Sequence, residues 1–221
     1  MDSLEKVREE VLSCKKCKLW QTRTNPVPGE GNPKAEIMFI GEAPGENEDK
    51  EGRPFVGAAG KLLTQLIKDV LGLSREDVFI TNLVKCRPPN NRDPEEDEII
   101  ACSPYLDRQI DLIMPKIIVT LGRHSTKYIF NKMGENFHSI TKVRGKPYVW
   151  NYKGKEIIVF PTYHPAAALY NPNLRKTLEE DFKRIKSLTN AKSNKYTIEY
   201  FLGDKDRSGN KGEESNSDSS K

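Results

Sequence analysis

The sequence has no run approaching the roughly 18 to 20 consecutive apolar residues that span a bilayer, and its start, Met-Asp-Ser-Leu-Glu-Lys, lacks the basic-then-apolar layout of a secretory signal. A soluble, intracellular (cytoplasmic) protein with no membrane partner is expected. Cysteine is scarce, at four residues. In a reducing compartment four thiols seldom mean two disulfides, so a metal or cluster is their default reading. An excess of one charge is also lacking, because 36 Lys plus Arg against 32 Asp plus Glu leave a formal charge of only +4. That is compatible with a polyanion partner without demanding one. Glutamine is rare while Lys and Glu are abundant, the composition of a protein from a hot-living source. No internal repeat is present.

What is present fits one domain. At 221 residues with 36% hydrophobic side chains, the chain can enclose one sizeable core. Residues 203–221 carry no apolar side chain and are expected to form a disordered charged tail, which leaves a domain over 1–195. Apolar runs at 35–40, 78–84, 117–121 and 156–160 read as buried strands, and 4–12, 58–71, 123–131 and 173–188 read as helices. A further helix is expected to start at Asp93-Pro94-Glu95-Glu96, with Asp93 as its cap, and to reach Met114. Residues 143–150 and 156–160 flank Asn151-Tyr152-Lys153-Gly154 as a hairpin. Strands alternating with helices predict an α/β fold, a parallel sheet with helices on both faces, whose ligand crevice lies at the carboxyl ends of the strands.

Three segments fall at such ends. Residues 41–60, directly after the first strand, pack five glycines and two prolines into twenty positions. Gly and Pro at that density exclude a regular element and mark a loop whose backbone takes unusual angles or comes close to something. Asn82 lies near the end of its strand and His164 shortly after the last one. These segments are expected to converge.

Cys14-x-x-Cys17 places two thiols on one turn, the usual way of offering two ligands to one metal centre. Cys86 and Cys102 are not a second tight knuckle, which moves weight from zinc toward an iron-sulfur cluster but leaves zinc, or four ordinary buried thiols, open. Lys15, Lys16, Lys18, Lys85, Arg87 and Arg92 crowd both segments, as phosphate contacts or as a solvated basic surface.

Gly41-Glu42-Ala43-Pro44-Gly45, Gly52-Arg53-Pro54-Phe55-Val56-Gly57, Thr81-Asn82-Leu83-Val84-Lys85-Cys86-Arg87-Pro88-Pro89 and His164-Pro165-Ala166, taken with Cys14, Cys17, Cys86 and Cys102, together resemble the family 4 uracil-DNA glycosylases, the iron-sulfur type of archaea and thermophilic bacteria. The likeness runs from about residue 3 to 188. It implies a three-layer α/β/α sandwich with a central parallel sheet and a 4Fe-4S cluster on the four cysteines. It implies a monomeric, nucleoid-associated repair enzyme that hydrolyses the N-glycosidic bond of deoxyuridine in double- or single-stranded DNA and leaves an abasic site uncut. A contact with a replication clamp is left open. The resemblance also implies a uracil pocket built on the backbone of Gly41, Glu42 and Ala43, with Glu48 beside C5, where thymine carries its methyl. Family 1 enzymes have Asp where this chain has Ala43, so Glu42 becomes the candidate to position water. The segment after His164 resembles a loop that wedges into the duplex, through Leu169 or Tyr170.

The residue types suit that chemistry. Phe55 offers a stacking face, worth about 1 to 3 kcal/mol per base. Asn82 carries both donor and acceptor, matching O4 and N3–H of uracil, whereas cytosine would leave polar groups unpaired at about 1 to 3 kcal/mol each. Uracil leaves as an anion, and His164 is the candidate donor to its O2; its protonation state is not legible in the sequence. Glu42 would activate the water and offset the charge on the sugar. Glu46, Asp49 and Glu51 read as a solvated acidic loop. Arg87, Arg92, Arg144 and Lys146 are candidate phosphate contacts. Two other classes compete. A non-catalytic nucleic-acid-binding module would not need Glu42 with His164. An enzyme cradling a nucleotide phosphate would need G-x-x-x-x-G-K-[ST], which is missing, and a less acidic loop.

Overall fold

The four apolar runs expected as strands lie side by side at the centre of the molecule. The computed structural model describes residues 1–190, so the expected tail over 203–221 and the end of the expected domain lie outside the described residues. In chain order the elements are α1 (Leu4–Leu12), β1 (Glu30–Gly31), β2 (Ile37–Gly41), α2 (Glu46–Glu51), α3 (Ala58–Leu66), continued by a π-helical turn (Ile67–Leu71), and β3 (Phe79–Asn82). Then follow α4 (Glu96–Ile113), β4 (Ile117–Leu121), α5 (Arg123–Met133), α6 (Ile140–Val143), β5 (Tyr148–Tyr152), β6 (Lys155–Thr162) and α7 (Pro172–Asn190).

The strands are ordered β1-β3-β2-β4-β6-β5. The inner four are parallel, while β1 and β5 run antiparallel to their neighbours. The sheet is therefore parallel at its centre, as expected, and mixed at its edges, where β5 pairs with β6 as the expected hairpin. A parallel neighbour requires a long crossover, whereas β5 and β6 are joined by a tight turn at Lys153 and Gly154, both at positive φ.

Successive strand side chains point to opposite faces. Met38 and Ile40 of β2 join Val7, Val11, Leu106, Ile110, Ile129 and Phe130 under α1, α4 and α5. Ile37 and Phe39 join Leu62, Leu63, Phe182 and Ile185 under α3 and α7. Three α/β/α layers result.

Three local expectations are corrected. α2 lies inside the 41–60 stretch from which regular structure had been excluded. Gly45 enters it in extended conformation, Glu46, Glu48 and Asp49 occupy the first turn where the helix dipole favours acids, and Gly52 at φ 68° ends it. α4 begins at Glu96 rather than behind Asp93, because Glu95 and Glu98 close a capping box. Val143 belongs to α6, not to the hairpin. No helix among the described residues is long and apolar enough to cross a membrane.

From β2 the chain passes to β3 on one side and later to β4 on the other. This reversal opens a crevice at the carboxyl ends of the central strands.

Candidate active site

Strand register gathers the site. Gly41, the last residue of β2, is the direct partner of Asn82, the last of β3. The two ends continue as a ladder, with the Leu83 and Val84 amides donating to the Gly41 and Glu42 carbonyls at 3.0 Å each. A Cβ on Gly41 would lie 2.4 Å from Asn82 Oδ1 and 2.6 Å from Phe55 Cζ. Only glycine lets strand end, amide and ring close up this tightly.

Phe55 adopts φ 49°, a left-handed conformation that an aromatic residue keeps only when its surroundings impose it. Arg75 imposes it, donating to the Phe55 and Pro54 carbonyls at 2.9 and 2.6 Å while paired with Glu30 at 2.8 Å. The ring is buried in the core under α3 and still faces the cleft, lying 5.5 Å from the His164 ring at an interplanar angle of 25°. This position suits a core side chain and a stacking face at once.

The cleft encloses about 430 Å³, and Glu42, Ala43, Glu48, Phe55, Asn82 and His164 all line it, with Arg92 and Leu169. Gly41 sits behind Asn82. Asn82 is 2% exposed, and its Oδ1 is buried without a hydrogen-bond partner. An acceptor in that state costs about 1 to 3 kcal/mol unless a ligand donates to it. Glu48 reaches from α2 to the N-terminus of α3 and accepts from the Gly57 amide at 3.2 Å.

His164 opens the turn Pro165–Ala168, and the Ala166 amide donates to its Nδ1 at 3.0 Å. An Nδ1 that accepts carries no proton, so the neutral ring is protonated on Nε2. Desolvation pulls the pKa of His164 down to about 4, which keeps the ring neutral near pH 7. Glu42 is shifted the opposite way, up to about 7, first by desolvation and then by the charge and hydrogen bond of Asp93, with Arg123 opposing.

The remaining candidates are held by protein partners or stand out in solvent. Arg92 is held bidentate by buried Glu98 at 2.9 and 2.7 Å, and Arg87 by Asn91 at 2.7 Å. Arg144 is paired inward with buried Asp181, which also accepts from Thr162 at 2.7 Å. Lys146 is exposed and away from the cleft lining, and Tyr170 is 95% exposed. Asp49 corrects the reading of a solvated acidic loop. It is 3% exposed and accepts from the Thr24 and Asn25 amides at 2.9 and 3.3 Å, fastening α2 to the preceding segment.

Two residues of the site were missed, Asp93 and His124, which face Glu42. The strand-end rule that flagged Asn82 and His164 points equally to His124, two residues beyond Gly122 at the end of β4.

Cys14, Cys17, Cys86 and Cys102 are all unbridged and line one small chamber between α1, the segment after β3, and α4. Arg23 donates to Cys86 Sγ and the Lys85 amide to Cys102 Sγ, each at 3.1 Å. Desolvation pushes the thiols of Cys17 and Cys86 up, and that of Cys102 to about 12. An all-sulfur donor set with N–H groups aimed at sulfur fits a thiolate-held centre, whose positive charge would reverse those shifts.

Residues 28–186 match the family model described as the Uracil DNA glycosylase superfamily. The chain is 81% identical to the Type-4 uracil-DNA glycosylase of Sulfurisphaera tokodaii and 67% identical to that of Saccharolobus solfataricus, each over the full length of both chains. It is 53% identical to the Type-4 uracil-DNA glycosylase of Archaeoglobus fulgidus over 87% of this chain and 96% of that one.

Proposed function

This chain belongs to the uracil DNA glycosylase superfamily and hydrolyses the N-glycosyl bond that joins uracil to DNA, and from that premise we propose that the cleft at the ends of β2, β3 and β6 is where it does so. The observation that carries this reading is the orphaned Oδ1 of Asn82. Uracil N3–H supplies the donor it lacks, and Nδ2 of the same amide donates to O4. Cytosine offers a bare N3 and an amino donor in those places, so both contacts fail.

Uracil reaches the cleft only after leaving the base stack, most readily from a U·G mismatch or a single strand. It stacks on Phe55, with Glu48 closing the space beside C5. The bond from C1′ to N1 breaks with its electron pair going to the base. His164, neutral and protonated on Nε2, donates to O2 and spreads that charge. Water, positioned by Glu42, adds to C1′ and loses its proton to the carboxylate. Among the described residues no lysine lines the cleft to attack the sugar, so the product is an intact strand with an abasic site. Tyr170, exposed at the rim next to Leu169, is the side chain suited to fill the vacated stack. Lys146 is a candidate phosphate contact, while Arg87, Arg92 and Arg144 keep their protein partners.

The four cysteines are assigned a 4Fe-4S cluster. When bound it supplies a covalent tie between the N-terminal turn and the segment leaving β3. Purified protein should carry iron and sulfide with visible absorption; zinc without iron would reject this assignment. The activity is tested with oligonucleotides bearing U·G, U·A and single-stranded uracil beside thymine and cytosine controls. Uracil release from the first three is expected, and a chain that releases none from any of them would overturn the reading.

A further inference from the structure

We propose that Asp93 and His124 are positioning residues that share one proton with Glu42 and thereby set the pH range over which Glu42 activates water. The inference rests on Glu42 being the water-activating group. Three separate elements meet here: the end of β2, the segment before α4, and the first turn of α5. One ligating atom from each of Glu42, Asp93 and His124 lies within 4.8 Å of the others. His124 Nε2 is 3.4 Å from Asp93 Oδ2 and 3.6 Å from Glu42 Oε2. That nitrogen is buried and has no hydrogen bond of regular geometry.

Two carboxylates at this separation do not both ionise freely; they titrate as a pair holding one proton. Asp93, despite desolvation, is held below the usual carboxylate range by Arg123 and His124, while Glu42 is pushed up. The shared proton therefore sits on Glu42 and points at the Asp93 carboxylate. Once ionised, Glu42 takes the proton of the attacking water as the C1′–O bond forms and the C1′–N1 pair leaves with uracil. The proton then passes to Asp93, whose side chain is half exposed and opens to solvent. The other charged or titratable groups facing this trio are Arg123 and Lys127 of α5, Arg92 before α4, Glu48 of α2 and His164 after β6.

The test is the single-turnover rate of uracil release as a function of pH for cluster-loaded wild type, Glu42→Gln, Asp93→Asn, His124→Ala and His124→Gln. The wild-type rate should rise through an acid limb near neutrality. Asp93→Asn removes the like charge and should move that limb down by about one pH unit. His124→Ala removes the nitrogen facing both carboxylates and should move it up, with His124→Gln, which restores an N–H, lying closer to wild type. KM for uracil-containing DNA should stay within about twofold in all three. An acid limb unmoved in both Asp93→Asn and His124→Ala, with circular dichroism and melting unchanged, would overturn the proposal while leaving Glu42 intact. A Glu42→Gln enzyme as fast as wild type would instead remove Glu42 as the base, and the proposal with it. Loss of wild-type activity on treatment with a chelator, reversed by Mn²⁺ with the visible absorption unchanged, would assign the trio to a cation and also overturn it.

Discussion

Asn82→Ala separates reading of the base from integrity of the fold. In the free protein Oδ1 is buried and unpartnered, within a residue that is 2% exposed. Truncation removes this acceptor and the Nδ2–H proposed to meet O4. An extruded uracil then leaves N3–H and O4 unpaired, at about 1 to 3 kcal/mol each. The loss in kcat/KM is about 2 to 6 kcal/mol, on the order of 30-fold to 10⁴-fold. Stability behaves differently, because deleting an orphaned acceptor relieves a cost of similar size to the small cavity it leaves, and Tm should move by no more than about 4 °C. Oligonucleotide cleavage after alkali treatment and a thermal melt on the same sample measure both. A fall in kcat/KM below about fivefold, or a Tm drop above about 10 °C, would refute the reasoning. The first would mean that uracil is read elsewhere, the second that the amide holds the fold. Asn82→Asp extends the test, since an acid buried this deeply keeps its proton and presents a donor to cytosine N3 and an acceptor to its amino group. Cytosine release should become measurable as uracil release falls.

Gly41→Ala drives a methyl to 2.4 Å from Asn82 Oδ1 and 2.6 Å from Phe55 Cζ, and should cost as much activity as Asn82→Ala although residue 41 does not line the cleft; near wild-type kcat/KM would show the crowding to be soft. His164→Gln should lower the rate by about 10² to 10³, measured under single turnover. The acid limb near neutrality should persist in this variant because it belongs to Glu42. Since the His164 pKa is lowered from 6.5 to about 4, the unfolded chain alone takes up that proton between those values. Stability is therefore lost as pH falls through this window, and His164→Gln should lose less of it in acid melts. Cys102→Ser should reduce bound iron and lower Tm together, and a variant that kept full iron content would exclude Cys102 as a ligand.

The strands were legible because β2, β3 and β4 are buried along their whole length, as is β6 over 159–162, and all read as mostly apolar runs. Asn82 and His164 could be flagged because a strand end fixes where a side chain emerges. What stayed hidden depends on contacts between distant segments. α2 was concealed by the Gly and Pro that bound it, although its first-turn acids carried a helical signal. Asp49 reads as solvent-facing until Thr24 and Asn25, a whole loop away, are folded over it. Asp93 followed by Pro has the look of a helix cap, yet its partners Arg123 and His124 come from another helix, and Glu95 with Glu98 takes the cap instead. β1, two residues long, has no periodicity to detect.

The cysteine chamber and the proposed uracil cleft meet at one buried side chain. Lys85 is 1% exposed and sits between Val84 of the strand exit and Cys86 of the chamber. Its amide donates to Cys102 Sγ at 3.1 Å. Its Nζ reaches back to Thr81 Oγ1, the Asn82 carbonyl and Gln109 Oε1 at 2.6, 2.7 and 2.7 Å, three oxygens that can take every hydrogen the amine carries while burial lowers its pKa to about 7. Gln109 and Thr81 both go on to the Pro28 carbonyl. A fully satisfied network of this kind has a single low-energy arrangement, since moving any member leaves a buried polar group unpaired. The backbone of Asn82 is thus held by the same residue whose amide is fixed on a cysteine sulfur. An amide that must tell N3–H from a bare nitrogen discriminates only if it cannot shift or rotate to suit the wrong base. Anchoring the cysteine segment therefore bears on the proposed base reading as well as on stability.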